Sequence, residues 1–232
     1  MITNPAPADT GSRDTGNSSR EARGEGNDTE RRLLDCALTL FAEKGYAGTS
    51  VRDIIEAVGM TRPVLYYYAR NKEDLFRRVV EESHREAYTG MAALLEQPLP
   101  CAERLRSVLR GTFAFCASDP RIPRLMFQAY LGAPGEETAR IVASHAAFRF
   151  GVIAQIMREG IAAGEVIGGD AESLALIFCC LMDQHVQVLS QLPHPQTRLT
   201  PELADALLDV FLHGVGTGER VPVHLPPFAA YP

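Results

Sequence analysis

The chain has 232 residues, of which 46% are hydrophobic and 22% charged, and its formal net charge is −6 at pH 7. This composition is ordinary for a globular protein. Unbroken apolar runs such as residues 174–182 are shorter than a membrane span, and no leader pattern opens the chain, so we expect a cytoplasmic protein without membrane contact.

The charge is unevenly distributed along the chain. Residues 29–78 carry nine basic and seven acidic side chains, whereas residues 79–232 carry eleven basic and seventeen acidic ones. The window 57–72 contains no acidic side chain and three basic ones, Arg62, Arg70 and Lys72. Because phosphates attract locally positive surfaces, this window is the best candidate for contact with nucleic acid.

Residues 1–28 are rich in small and polar side chains and nearly lack large apolar ones, which predicts a disordered tail. An alternative is a basic arm that touches a DNA groove through Arg13, Arg20 and Arg23, although the segment as a whole is negative. From Thr29 onward, apolar residues recur at three- and four-residue steps, which predicts a helix that ends at Gly45.

Two short helices and a longer one follow. Ser50 and Asp53 have the spacing of a capping box, which predicts a helix that ends before Gly59. Thr61 can cap the next helix, because Pro63 is tolerated in a first turn. Asn71 caps a longer helix that runs to about residue 95.

The remaining chain continues the helical pattern. Helices are predicted near 102–117, 120–132, 136–163, 170–190 and 201–214. No segment alternates apolar and polar residues between hairpin turns, so a sheet is not expected. The predicted fold is all-α, with a C-terminal tail over 217–232.

The helices predicted at 50–58 and 61–68 have the dimensions of a helix-turn-helix motif, here assigned to residues 50–69. The second helix of such a motif enters the major groove, and Thr61 and Arg62 stand at its N-terminal end, where side chains reach base edges. Tyr66, Tyr67 and Lys72 suit phosphates. The full predicted DNA-contacting set is Thr49, Ser50, Arg52, Thr61, Arg62, Pro63, Val64, Tyr66, Tyr67 and Lys72.

The alternative for the tyrosines is packing in a core or interface. Three consecutive tyrosines on a helix spread over about 200°, so one face cannot bury all of them.

A segment of about 48 residues resembles the opening of a TetR-family repressor, in the expected order and spacing. The resemblance lies in Leu33–Tyr46, Thr49–Ile54, Gly59–Tyr68 and Asn71–Phe76. The family usually has His and Phe where this chain has Tyr68 and Ala69, which puts the operator affinity in doubt and not the fold.

The resemblance implies an all-α homodimer that binds a palindromic operator and releases it when a small-molecule effector binds. Residues 29–76 would form the DNA-binding domain and 77–216 the ligand-binding and dimerisation domain. The helices near 170–190 and 201–214 would form a four-helix bundle with those of a second subunit. Their apolar stripes are Leu174, Ile177, Leu181, His185 and Val188, and Leu203, Ala206, Leu207, Val210 and Leu212. The same stripes fit an internal core.

A bundle of this size can hold a ligand cavity, and its aromatic and Met residues suggest a hydrophobic effector. The candidate lining residues are Met126, Phe127, Tyr130, Phe148, Phe178, Met182 and His185, with Phe150 also a candidate and Arg149 or Asp183 able to orient a polar group. Side chains at this spacing also suit an ordinary core.

No catalytic residues, metal site or cofactor are predicted, since the six histidines lack the spacing of a zinc site and no nucleophile–base pair is convincing. The five cysteines fit buried thiols. The competing hypotheses are a redox sensor using Cys179 and Cys180, a helical enzyme, and an activator in place of a repressor.

Overall fold

The computed structural model describes residues 15–131, 136–166 and 169–214, and this part of the chain is helical with no strand. The helices are α1 (Thr15–Gly48), α2 (Val51–Val58), α3 (Arg62–Tyr68), α4 (Lys72–Ala93), α5 (Cys101–Ser118), α6 (Arg121–Leu131), α7 (Glu136–Ala162), α8 (Ala171–Ser190) and α9 (Pro201–His213). A 3-10 turn, Pro195–Thr197, precedes α9. The expected all-α fold is confirmed.

The ends of the first helices follow the local signals in the sequence. The Ser50 hydroxyl accepts from the Asp53 amide at 3.1 Å, and the Asp53 carboxylate accepts from the Ser50 amide at 2.8 Å, which completes the capping box. Gly59 ends α2 with φ 73°, a conformation in which L side chains are strained. Thr61 precedes α3 but makes no side-chain capping bond to it.

The start of α1 differs from the sequence expectation. Residues 15–28, which were expected to belong to a disordered tail, continue α1 toward the N-terminus. Adding turns to a helix that is already nucleated costs little, whereas starting one is expensive. The N-terminal residues 1–14 and the C-terminal tail expected over 217–232 lie outside the described residues.

Two apolar clusters form the interior. The first joins α1–α4 to α6 and α7 through Leu33, Phe41, Ile54, Leu65, Phe76, Ile122, Leu125, Ile141 and Val142. The second joins α5, α7, α8 and α9 through Leu105, Phe113, Ile153, Met157, Phe178, Met182 and Leu208. The first cluster therefore crosses the division expected at residue 76 and extends into the C-terminal half of the chain.

Helix α8 is long and apolar enough to cross a membrane by length and composition alone, although its unbroken apolar run is shorter than a span. The core helix of a soluble protein passes the same test. Phe178 and Met182 of α8 are 0% exposed in the second cluster, so its composition has an explanation in the packing of the bundle.

Candidate DNA-binding face and ligand cavity

The buried sides of α2 and α3 hold the two short helices against α1 and α4. Ile54 and Leu65 are both 0% exposed and pack in the first apolar cluster with Phe41 and Phe76. The phenyl rings of Phe41 and Phe76 meet edge to face with 5.3 Å between centroids. This packing fixes the outward side of α3.

The outward side of α3 carries most of the side chains expected to contact DNA. Tyr67 is 83% exposed, Tyr66 44% and Val64 39%. The other exposed members of the set are Ser50, Arg52, Thr61, Arg62 and Pro63. Arg52 pairs with Glu56 at 2.6 Å. Arg62 makes no ion pair with any described residue, so its guanidinium is available to an external acceptor.

Thr49 corrects the sequence expectation. Its side chain is 1% exposed, and its hydroxyl lies 2.8 Å from the Gly45 carbonyl and 3.1 Å from that of Leu40. A hydroxyl used in this way closes the end of α1 and does not reach a duplex. The sequence could not show this, because the kink at Gly45 (φ 72°, ψ 168°) turns Thr49 back onto the helix.

Lys72 also has a structural role within this domain. Its ammonium donates to the carbonyls of Tyr46 and Thr49, both at 2.9 Å, and lies 4.2 Å from the centroid of the Tyr46 ring. Two of its three donors are thus used to hold the end of α1 against the start of α4.

A cavity of about 750 Å³ lies between α4, α5, α6, α7 and α8. Its wall contains Tyr88, Met91, Phe115, Ile122, Met126, Phe127, Val142 and Phe150 among its apolar members. A cavity of this size suits a small organic ligand.

The structure places some of the expected lining residues in the cavity wall and others elsewhere. Met126 and Phe127 line the cavity, whereas Phe148 and His185 do not. Phe178 and Met182 belong to the second core, because their side of α8 faces α5 and α9. The side chain of Tyr130 lies outside the described residues.

The family model for "Bacterial regulatory proteins, tetR family" matches residues 33–79. This segment is similar to the N-terminal domain of that family. A curated relative is the biofilm operon icaADBC HTH-type negative transcriptional regulator IcaR of Staphylococcus epidermidis, 46% identical over 50 residues. This alignment covers 22% of this chain and 27% of that protein, so the chain matches far less than two thirds of its relative's length.

Solved structures match most of the chain at the level of fold. The regulator FadR of Bacillus subtilis in complex with stearoyl-CoA matches with TM-score 0.70 and 21% identity, over 80% of this chain and 99% of that one. AibR in complex with isovaleryl coenzyme A and operator DNA matches with TM-score 0.64 and 21% identity, over 79% and 98% of the respective chains.

The cavity has a polar centre, and of its members only Arg149 and Asp183 were expected from the sequence to orient a polar group. Arg149 and Asp183 form an ion pair across α7 and α8, with 2.6 Å between Nη2 and Oδ2. The Tyr88 hydroxyl lies 2.8 Å from Nδ1 of His145. His84 Nδ1 donates to the Val80 carbonyl at 2.9 Å. The only sequence signal for these groups was their position among apolar residues on the helices.

Burial determines the protonation of the aromatic polar groups. It lowers the pKa of His84 to about 4 and also lowers that of His145, so both imidazoles are neutral near pH 7. Burial raises the pKa of Tyr88 to about 12, so the phenol keeps its proton. The charged groups at the centre of the cavity are therefore Arg149 and Asp183.

Three of the five cysteines lack the exposure of a reactive thiol, whereas Cys180 is exposed and Cys36 half-buried, contrary to the expectation of buried thiols. All five are free, and Cys101, Cys116 and Cys179 are buried. Burial raises the pKa of the Cys116 and Cys179 thiols to about 12, which suppresses the thiolate that redox chemistry requires. No group of three or more metal-binding side chains occurs among the residues described.

Helix α6 contacts both the cavity and α1. Its residues Ile122 and Met126 line the cavity. On its other side, Arg121 bonds to Thr39 and Asp35 of α1 at 2.7 and 2.8 Å, and Gln128 donates to the Ala42 carbonyl at 3.0 Å. These polar contacts join α6 directly to α1.

Proposed function

We propose that this protein is a transcriptional repressor that binds duplex DNA through α2 and α3 and releases it when a small molecule occupies the cavity. The observation that carries the proposal is the exposed N-terminal end of α3 on a TetR-type domain. Thr61 stands there beside Arg62, which has no ion pair within the described part of the chain. Arg at this end of a recognition helix suits bidentate contact with guanine.

The DNA-bound form is a homodimer on a palindromic operator. A single short helix buries too little surface to specify a site, so two copies on successive major grooves are required. Exposed apolar side chains on α8 and α9 support this assembly: Ile177 is 43% exposed, Val188 47% and Val210 42%. Such side chains are typical of a symmetric interface. We infer a cytoplasmic location as well, because the operator lies on chromosomal DNA.

The effector has a mainly apolar body. The cavity wall supports this, as do two proteins of similar fold whose structures contain stearoyl-CoA and isovaleryl coenzyme A. Ligand contact with Ile122 and Met126 would shift α6 and, through Arg121, the orientation of α1. A shift of this kind changes the separation of the two recognition helices, which must match about 34–36 Å on the operator.

The test is selection of bound sites from random duplex DNA by the full chain, followed by anisotropy titrations with three variants. Arg62→Ala should weaken the selected site by about 1–3 kcal/mol and leave thermal stability unchanged. Lys72→Ala should weaken all sequences alike and lower thermal stability, because it removes two internal hydrogen bonds.

The matched control is Arg198→Ala, an exposed arginine in the loop before α9. It should change neither DNA affinity nor stability. If the wild-type chain selects no sequence at low salt, the proposed function is wrong. If Arg62→Ala binds the selected site as tightly as the wild type does, the assignment of Arg62 is wrong.

A further inference from the structure

The charges in the cavity are distributed asymmetrically. Among its described lining residues, Arg149 is the only permanent cation. One of its nitrogens bonds to Asp183, while its buried Nε has no hydrogen-bond acceptor among the described residues. A buried donor of this kind is costly to leave unpaired, so it indicates a place for an additional acceptor.

The surroundings of the ion pair hold no second charge close to the guanidinium among the residues described. The titratable groups around it are His84 and Tyr88 on α4, Cys116 on α5, His145 on α7 and Cys179 on α8, and burial keeps all of them neutral. The lining residues of α6 are Ile122, Pro123, Met126 and Phe127, which do not titrate. Glu86 also lines the cavity but is an exposed residue.

We propose that the effector is a lipophilic carboxylic acid whose carboxylate replaces Asp183 on the Arg149 guanidinium while its apolar body lies against α6. This inference rests on the proposed function and adds the chemical class of the ligand.

The direction of the exchange follows from the acid–base chemistry of the two side chains. An arginine keeps its proton in a protein, so a cationic ligand that took Asp183 would leave a half-buried, unpaired guanidinium. A displaced carboxylate can instead take up a proton and become neutral. Burial already raises the pKa of Asp183 despite the opposing effect of Arg149, so release from Arg149 favours this protonation further. The site therefore admits an anion more readily than a cation.

The exchange of carboxylates on Arg149 conserves the net charge of the cavity. The ligand enters as a carboxylate and Asp183 takes one proton from solvent, so the charge of the cavity is the same before and after binding. Binding of an acid should therefore take up one proton, which calorimetry in two buffers of different ionisation enthalpy measures directly.

The experiment is isothermal titration of the full chain with dodecanoic acid and biphenyl-4-carboxylic acid, with their primary amides as neutral isosteres and dodecylamine as the cation. At least one acid should bind about tenfold or more tightly than its amide, because a charge-assisted hydrogen bond replaces a neutral one. Dodecylamine should bind more weakly than dodecanoic acid.

Two variants assign the effect to the ion pair. Arg149→Met should abolish the preference for acids over amides. Asp183→Asn should bind acids more tightly than the wild type and without proton uptake. The matched control is the exposed pair Arg158–Glu172, which also joins α7 to α8 but lies outside the cavity lining. Arg158→Met and Glu172→Gln should leave the acid affinities unchanged.

The inference is overturned if no acid binds the folded wild type, if amides or the amine bind as tightly as the acids, or if Arg149→Met retains the preference. Release of DNA is measured separately by anisotropy. Acids that bind as expected without releasing the selected DNA contradict the proposed regulation and leave the ligand assignment standing. Selective DNA binding without acid binding contradicts the ligand assignment and leaves the proposed DNA binding standing.

Discussion

Arg121 of α6 and Asp35 of α1 form an ion pair between the helix that lines the cavity and the first helix of the chain, with 2.8 Å between Nη2 and Oδ1. The same guanidinium bonds to Thr39 and to Asp119 at the start of α6. Hydrogen bonds to these carboxylates raise the pKa of Arg121, Asp119 having the larger effect. This side chain thus fixes the start of α6 against α1.

The Arg121–Asp35 pair should contribute modestly to stability. The Asp35 side chain is 63% exposed, so solvent screens the interaction to about 0.5 kcal/mol in a double-mutant cycle. Arg121→Ala alone should cost about 1–2 kcal/mol, since it also loses the bonds to Thr39 and Asp119. Urea unfolding of the two single variants and the double variant measures both quantities. A single-variant cost no larger than that of Arg85→Ala, whose local partner is Glu82, would contradict this role.

Gly160→Ala should destabilise the contact between α5 and α7. A Cβ at Gly160 would lie 2.7 Å from Sγ and 2.8 Å from Cβ of Cys101, a buried residue. Overpacking of this kind costs about 1–3 kcal/mol.

The control is Gly151→Ala in the same helix, where a Cβ meets nothing within 4 Å. There the alanine should stabilise the protein by about 0.5–1 kcal/mol through its higher helix propensity. Chemical denaturation separates the two, and equal shifts in both variants would refute the prediction.

His84 should make stability depend on pH below neutrality. Its pKa is lowered to about 4 by burial, against an ordinary value of 6.5, so the unfolded chain binds the proton first. The folded state is therefore unaffected above pH 6.5 and loses stability as the pH falls from 6.5 toward 4, by about 3 kcal/mol at most.

The variant His84→Leu should have a flatter stability profile between pH 6.5 and 4, as measured by urea unfolding at several pH values. A residual slope should remain, because the pKa of His145 is also lowered by burial. His213→Gln, on the exposed end of α9, should reproduce the wild-type slope. Parallel profiles for His84→Leu and wild type would show that His84 is not the group that titrates.

The thiols should differ in reactivity in the native state. Cys180 is exposed, so it should react first with a thiol reagent, and Cys180→Ser should remove the fastest phase. Cys101, Cys116 and Cys179 should react only after unfolding, because burial raises the pKa of each. Stopped-flow labelling with mass-spectrometric assignment measures this order. Rapid native labelling of Cys116 or Cys179 would support a thiol-based sensor instead.

Signals that act over a few residues were sufficient to place most helices of this protein. The capping box of Ser50 and Asp53, the cap at Asn71 and the stop at Gly59 all appear where they were expected. Caps and glycine stops depend on neighbouring backbone groups, so a sequence contains most of the information that specifies them. The resemblance to the TetR family likewise lies in local runs of residues between Leu33 and Phe76.

The roles of side chains in the assembled bundle were decided only by tertiary structure. Helical periodicity cannot show whether an apolar residue such as Phe127 or Phe178 lines a cavity or packs in a core. Cavity-lining and core-packing residues both recur at the same helical period of about 3.6 residues. Phe127 lies in the cavity wall, whereas Phe178 is buried in the second cluster. Thr49 and Lys72 were expected to contact DNA. In the folded chain, which kinks at Gly45, both side chains bond to backbone carbonyls instead. Which face of a helix meets protein, ligand or solvent depends on how distant segments pack, and that information is not local.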